Sequence, residues 1–421
     1  MIVLLLMNLQ HSEQVDSSAK AHNQVSVRTR SLCQKILDFL VKNGVHTKNG
    51  GDPVHSTQWL LNSASLQLAT SDGGKVLARV RDLILLSLRC EEMDHRYERI
   101  ESAYNKTFDW IFIRTDLADF PAWLQYTGAD LYWITGKPGS GKSTLMKYLF
   151  DDDRTRNELR LSIRFDKKLL MVSVYLWNSG TQRQKSFEGV LRSLLHQILV
   201  EEPCLIQAVF PCWFEIGVLL SECIGDALQT ALIRRQESRK ALRTVLAEVS
   251  SRRIVLFIDG LDEFGGRPPE IIKFVSDLIS DGVKVCASSR QEVEFEDANR
   301  RYLHLRVQDL TNDDIKHYVR SNLEETEGFQ EMSVWDPQDC QTLIEDVCQK
   351  SSGVFLWVVL VTQSLVKGLT DGEDIFELQD LLAALPNDLH RLFWKILENL
   401  DERNFPVLAS YSNFRRLHYP A

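Results

Sequence analysis

The stretch "YWITGKPGSGKSTLMKYL" at residues 132–149 constrains the fold of this chain more than any other. An apolar run enters a glycine-rich loop, and a lysine, two hydroxyls and a helical pattern follow. The loop matches G-x-x-x-x-G-K-[ST] at Gly136, Gly141, Lys142 and Ser143. Gly139 and Gly141 let backbone N–H groups turn inward, where a side chain would collide with phosphates. A helix beginning near Ser143 adds its unsatisfied N–H groups and positive dipole end. Lys142 then reaches the β/γ-phosphates, and the Ser143 hydroxyl ligates Mg²⁺. The expected nucleotide-binding set is Gly136, Pro138, Gly139, Ser140, Gly141, Lys142, Ser143 and Thr144. A chance match in a chain this long is on the order of 1%. Alone, the segment establishes phosphate binding and nothing further.

A hydrolytic site also needs a strand that ends in a carboxylate. "RRIVLFIDGLDEF" (252–264) supplies six apolar residues and then Asp259, Asp262 and Glu263. An acid at the end of a buried strand is costly unless a cation neutralises it, so Asp259 is read as a Mg²⁺ ligand beside Ser143. The plainer alternative is a surface turn of solvated acids. Asp262 and Glu263 are expected to position or deprotonate the attacking water; the alternative is that they are surface charges or pair with a nearby arginine. "GVKVCASSRQ" (282–291) is a further strand, and its Arg290 is placed to contact a γ-phosphate. A solvated strand end is the simpler account of that arginine.

The middle of the chain alternates strand and helix patterns. Strands are expected at Leu131–Thr135, Leu170–Trp177, Ile254–Asp259, Val283–Ser288 and Tyr302–Val307. Such alternation predicts an α/β fold, a parallel sheet with helices on both faces. Helical spacing precedes it at Arg28–Lys42 and Val76–Leu88. After residue 311 the pattern is helical, with Thr311 as an N-cap and helices at Pro337–Gln349, Ser352–Leu369, Ile375–Ala384 and Asp388–Leu400. The expected organisation is an unstructured start at 1–27, a helical N-terminal region at 28–110, a nucleotide-binding domain at 111–310, a helical lid or regulatory region at 311–404 and a tail at 405–421.

Composition narrows the function classes. A length of 421 residues exceeds one compact core. A net charge of −9 argues against nucleic acid or an anionic membrane as the main partner. The eight cysteines show no C-x-x-C pair or zinc-like spacing, so reduced thiols are expected. "MIVLLLMNLQ" at the start and "GVFLWVVLVTQSLV" (353–366) are too short to span a bilayer. The expected location is cytoplasmic.

The loop, "LFIDGLDEF" and "ASSR", in that order, resemble the NACHT-type members of the STAND class of P-loop NTPases. "ESAYNKTFDWIF" (101–112), "FPAWLQYTGADLYWITGKPGSGKSTLMKYL" (120–149), "WNSGTQRQKSFEGVLRSLLHQIL" (177–199) and "SSGVFLWVVLVTQSLVKGL" (351–369) look like the fungal set related to heterokaryon-incompatibility proteins. The P-loop domain of that set is also described as nephrocystin-like. The resemblance covers roughly residues 95–400. It implies a five-stranded sheet with the Arg290 strand between the P-loop and Asp259 strands. It also implies a helical lid or winged-helix-like region after residue 311, with Gly353–Phe355 starting a helix near the nucleotide. Members usually continue into further helices and sensor repeats, so 405–421 is read as a truncated tail.

The function implied is an ATP- or GTP-dependent, Mg²⁺-requiring signalling switch in fungal non-self recognition or cell death. Its hydrolysis is slow, and it self-associates with nucleotide and engages other signalling proteins. The alternative is an interaction scaffold that binds nucleotide structurally. A small-molecule kinase would need an acceptor-binding lid, and the C-terminal half reads instead as helical packing.

Overall fold

The computed structural model describes residues 73–89, 91–113, 119–162, 168–211, 235–248 and 252–398. The helix expected at Arg28–Lys42, the unstructured start and the tail lie outside the described residues. The chain divides into two compact units, one of residues 1–89 and 191–248, the other of residues 90–190 and 249–421.

In the first unit the described helices are Gly73–Leu88, Ile206–Val209, Arg235–Glu248 and the part of Phe187–Glu201 from Leu191 onward. Val80, Ile84, Leu88, Leu194, Leu195, Ile198 and Val245 are buried. The Arg192 guanidinium donates to the Ser87 carbonyl.

The second unit carries the sheet. In chain order its main elements are α1 (Glu91–Arg99), α2 (Phe120–Gln125), β1 (Leu131–Thr135), α3 (Lys142–Asp151), α4 (Asp153–Leu161), β2 (Lys168–Tyr175), β3 (Arg252–Asp259), α5 (Pro268–Ser280), β4 (Lys284–Ser289) and β5 (Leu303–Arg306). The helices α6 (Asn312–Glu324), α7 (Glu327–Trp335), α8 (Pro337–Ser351), α9 (Phe355–Asp371), α10 (Ile375–Ala384) and α11 (Leu389–Glu398) follow. All five expected strands form, with ends moved by one or two residues.

The strands pair in parallel in the order β2-β3-β4-β1-β5. The side chains on both faces explain why so many positions read as continuous apolar runs. Tyr132, Ile134, Val255, Phe257, Cys286 and Leu305 join α2, α3 and α4 in one core. Their strand neighbours Leu131, Trp133, Leu256, Ile258, Val285 and Ala287 point the other way and are equally buried.

After β5 the second unit is helical among the described residues. Ile315, Val319, Leu343, Val347, Trp357, Val358, Val361, Leu365, Leu378 and Leu382 form a separate core. Thr311 stands at the N-cap of α6 as the spacing predicts, but its hydroxyl makes no capping hydrogen bond. Helix α9 begins at Phe355, three residues later than the pattern suggests. Ser352 and Gly353 take left-handed backbone conformations, φ 47° and 77°, and delay it. No described helix is long and apolar enough to cross a membrane, and "GVFLWVVLVTQSLV" supplies the start of α9.

Candidate functional site

Strand β1 is buried at all five positions and delivers the chain into the loop 136–141 at the C-terminal edge of the sheet. There the glycines earn their places. Gly139 and Gly141 have φ of 73° and 92°, a region that side chains resist. A Cβ on Gly136 would lie 2.6 Å from Ser140 Oγ and 2.9 Å from Gln308 Oε1. Pro138 is exposed at the tip, while Ser143 and Thr144 are half-buried in the first turn of α3.

Lys142 folds back over this loop, its Nζ donating to Gly136 O at 2.9 Å and Lys137 O at 3.0 Å. Burial lowers its pKa, against the attraction of Asp262 and Asp259. The cation lies in the field of both acids.

Because β4 lies between β1 and β3, all three sequence elements converge at one edge, the strand ends where doubly wound sheets take ligands. Asp259 is 2% exposed at the end of β3. Its Oδ1 accepts from Ser288 Oγ at 2.5 Å, and the Ser143 hydroxyl favours its charged form. Burial raises its pKa, opposed by those two hydroxyls and then by the charges of Arg96 and Lys142. Ser288 Oγ in turn accepts from Gly260 N at 2.9 Å, which fixes the turn after β3.

Asp262 and Arg290, both expected to face nucleotide, face each other. Asp262 Oδ1 accepts from Arg290 N at 2.9 Å, and its Oδ2 lies 3.0 Å from Arg290 Nε. The carboxylate side chain is 5% exposed and the guanidinium 38%. The pairing is the plainer alternative weighed for Asp262 from sequence. Glu263 turns the other way, its Oε2 accepting from Asn178 N at 2.7 Å just past β2. Burial raises its pKa; the Asn178 N–H and Arg96 oppose this, and Asp259 and Asp262 add to it.

Several contributors carry no local signal in the sequence. Leu356 N, in the first turn of α9, donates to Gly139 O at 2.9 Å. Lys137 Nζ donates to Ser352 O at 3.1 Å. A Cβ on Gly139 would approach Leu356, Leu389 and Val354 to 3.1, 3.2 and 3.3 Å. The helical half of the unit therefore closes directly on the phosphate loop. On the other side Phe108, with φ 66°, sets its ring edge 3.5 Å from where a Gly141 Cβ would lie. Asp314 of α6 holds that segment, accepting from Phe108 N at 3.1 Å and Trp110 Nε1 at 2.8 Å.

Two observations test whether these residues fit a nucleotide and Mg²⁺. The three loop glycines leave a backbone cradle that side chains would fill. A fully buried carboxylate with only hydroxyl donors, beside a first-turn serine, is the donor set for an octahedral cation that keeps most of its waters. Both fit. Among the described residues no cluster of three or more His, Cys, Asp or Glu could enclose a metal by itself, so a cation here would depend on phosphate oxygens as well.

Residues 106–290 match the model of the family described as Nephrocystin 3, N-terminal. The vegetative incompatibility protein HET-E-1 of Podospora anserina is 22% identical over 345 residues, covering 77% of this chain. The P-loop domain is thus similar to the nephrocystin-like model and to part of HET-E-1. The chain spans 23% of the length of HET-E-1. A chain in the structure of Drosophila ORC bound to DNA aligns over 62% of this chain and 61% of its own length at 11% identity. Its TM-score of 0.27 is too low to carry an argument. The P-loop NTPase fold stands on the strand order and the loop.

Proposed function

We propose that the protein is a NACHT-type signalling switch that binds ATP or GTP with Mg²⁺, hydrolyses it slowly, and acts in fungal non-self recognition or cell-death signalling. The working parts are a NACHT domain at 111–310 and a lid at 311–404. The observation that carries the reading is the position of Asp259, buried, hydroxyl-bonded and one strand away from the loop that presents Lys142. Ser143 and Asp259 would hold the Mg²⁺, which when bound offsets phosphate charge. Gly136, Pro138, Gly139, Ser140, Gly141 and Thr144 would line the phosphates.

The charged groups support a switch because each already has a partner it can exchange. Lys142 rests on loop carbonyls, and phosphate oxygens would replace them. Arg290 rests on Asp262, and a γ-phosphate would compete for it, freeing Asp262 to orient water; Glu263, held by Asn178 N, is the other candidate for that role. Leu356 on Gly139 ties the lid to the same loop, so nucleotide that moves the loop moves the lid. Nucleotide-dependent self-association and other signalling proteins as partners belong to this reading.

One observation favours a scaffold without turnover: the ion pair between Asp262 and Arg290 occupies two of the three candidate hydrolytic groups. Phosphate release and oligomer mass with ATP, ADP and no nucleotide separate the two readings, in wild type and in Asp262→Ala with Glu263→Ala. The switch predicts a larger mass with ATP than with ADP and phosphate release that the double variant loses. A mass indifferent to nucleotide, with no release above background, makes it a scaffold.

A further inference from the structure

Helix α1, which precedes the P-loop in sequence, forms a wall of the same site. Its last turn is bolted to the P-loop helix: Lys147 Nζ of α3 donates to Tyr97 O at 3.1 Å and Ile100 O at 2.8 Å. Tyr97 OH donates to Asp151 at the end of α3. Cations at the carbonyl end of a helix also favour its dipole. The result is a rigid placement of two arginines over Trp177, Arg96 with its Cζ 5.7 Å from the ring centroid and Arg99 at 5.2 Å.

The two arginines differ in what else they face. Trp177 is followed by Asn178, whose N–H holds Glu263, so the ring beneath Arg96 adjoins the site's acids. The Arg96 charge acts on both Asp259 and Glu263. Its Nε is buried without a hydrogen-bond partner in the described structure. An unmet buried donor of that kind is destabilising, and an anion arriving beside Asp259 would meet it. The other arginine of the site, Arg290, is already held by Asp262.

We propose that Arg96 is a terminal-phosphate-binding residue of the nucleotide site, supplied by the helix before the P-loop and held over Trp177. A planar guanidinium over an aromatic ring, with an unpartnered Nε, suits the phosphate recognition that a lysine cannot reproduce. The assignment rests on reading the site as a nucleotide site and adds to it a residue that distinguishes tri- from diphosphate. The group bound is the terminal phosphate of a nucleoside triphosphate; a diphosphate leaves Arg96 facing the acids alone.

The test is equilibrium titration of the full chain with Mg·ATP and Mg·ADP, in wild type, Arg96→Gln, Arg96→Lys and Arg99→Gln. Circular dichroism melts confirm that each variant is folded. Arg96→Gln is expected to weaken ATP about tenfold or more, a loss of ~1.4 kcal/mol, while ADP stays within about twofold. Arg96→Lys should recover only part of the loss, and Arg99→Gln, on the same ring, should behave as wild type. An unchanged ATP-to-ADP ratio in Arg96→Gln overturns the assignment while leaving the nucleotide site intact. Failure of the wild type to bind either nucleotide overturns both.

Discussion

The amide of Leu356 donates to the carbonyl of Gly139, so helix α9 of the proposed lid and the phosphate loop share a backbone hydrogen bond of 2.9 Å. The loop can accept it because Gly139 is left-handed and has no side chain between it and Val354, Leu356 and Leu389. Gly139→Ala adds strain of about 1 kcal/mol at φ 73° and a methyl at 3.1–3.3 Å from all three side chains. The lid should therefore separate more readily from the loop. Hydrogen exchange of peptides covering 352–358 should speed up several-fold in the variant, while exchange in β3 stays unchanged. Equal protection in both proteins would mean that the contact does not hold the lid.

The pairing of Asp262 with Arg290 sets a second expectation. Arg290→Gln leaves a carboxylate that is 5% exposed without its ionic partner, although the Arg290 N–H still reaches it. Since the guanidinium is 38% exposed, the loss should fall near about 1–2 kcal/mol, below that of a fully buried pair. Urea unfolding of Arg290→Gln, Asp262→Asn and the double variant should give a coupling of at least about 0.5 kcal/mol. Additive effects would show that the pair contributes no stability of its own.

Lys284 gives the protein a pH signature away from the nucleotide site. The first residue of β4 is 1% exposed, with its Nζ 2.9 Å from Tyr126 O and 4.3 Å from the Trp123 ring centroid. Burial first, and then the Arg253 charge, lower its pKa to about 7, against the pull of Asp130. In the unfolded chain a lysine titrates near about 10.4. Between those values the unfolded state holds a proton that the folded state lacks, so stability rises with pH, by up to about 1.4 kcal/mol per unit. Below the folded value the penalty is complete and constant. Denaturant melts between roughly pH 6.5 and 9.5 should show that slope in wild type and a flatter one in Lys284→Met. Parallel slopes would place the Lys284 ammonium in the folded state as an ordinary charged lysine.

How much of this was legible in the sequence depends on how far apart the interacting residues lie. The phosphate loop, the acid ending β3 and the arginine ending β4 are local patterns, and strand alternation was enough to find all five strands. Their convergence needed the strand order, which the family resemblance supplied and hydrophobic spacing could not. Asp262 and Arg290 were visible as chemistry but not as a pair, because 28 positions and a helix separate them. Arg96, Asp314 and Leu356 act on residues more than a hundred positions away, and no periodicity reports a contact of that kind. The late start of α9 was missed because Ser352, a residue that ordinarily avoids positive φ, takes it beside Gly353.

Whether nucleotide phosphates bind in the loop at Lys142 is decided by equilibrium titration of Mg·ATP into wild type and Lys142→Ala. The variant removes the only side-chain cation that already rests on the loop's Gly136 carbonyl among the described residues. The expected result is binding by the wild type and a loss of at least about tenfold, ~1.4 kcal/mol, in Lys142→Ala with the fold intact. Equal affinity in the two proteins would contradict it.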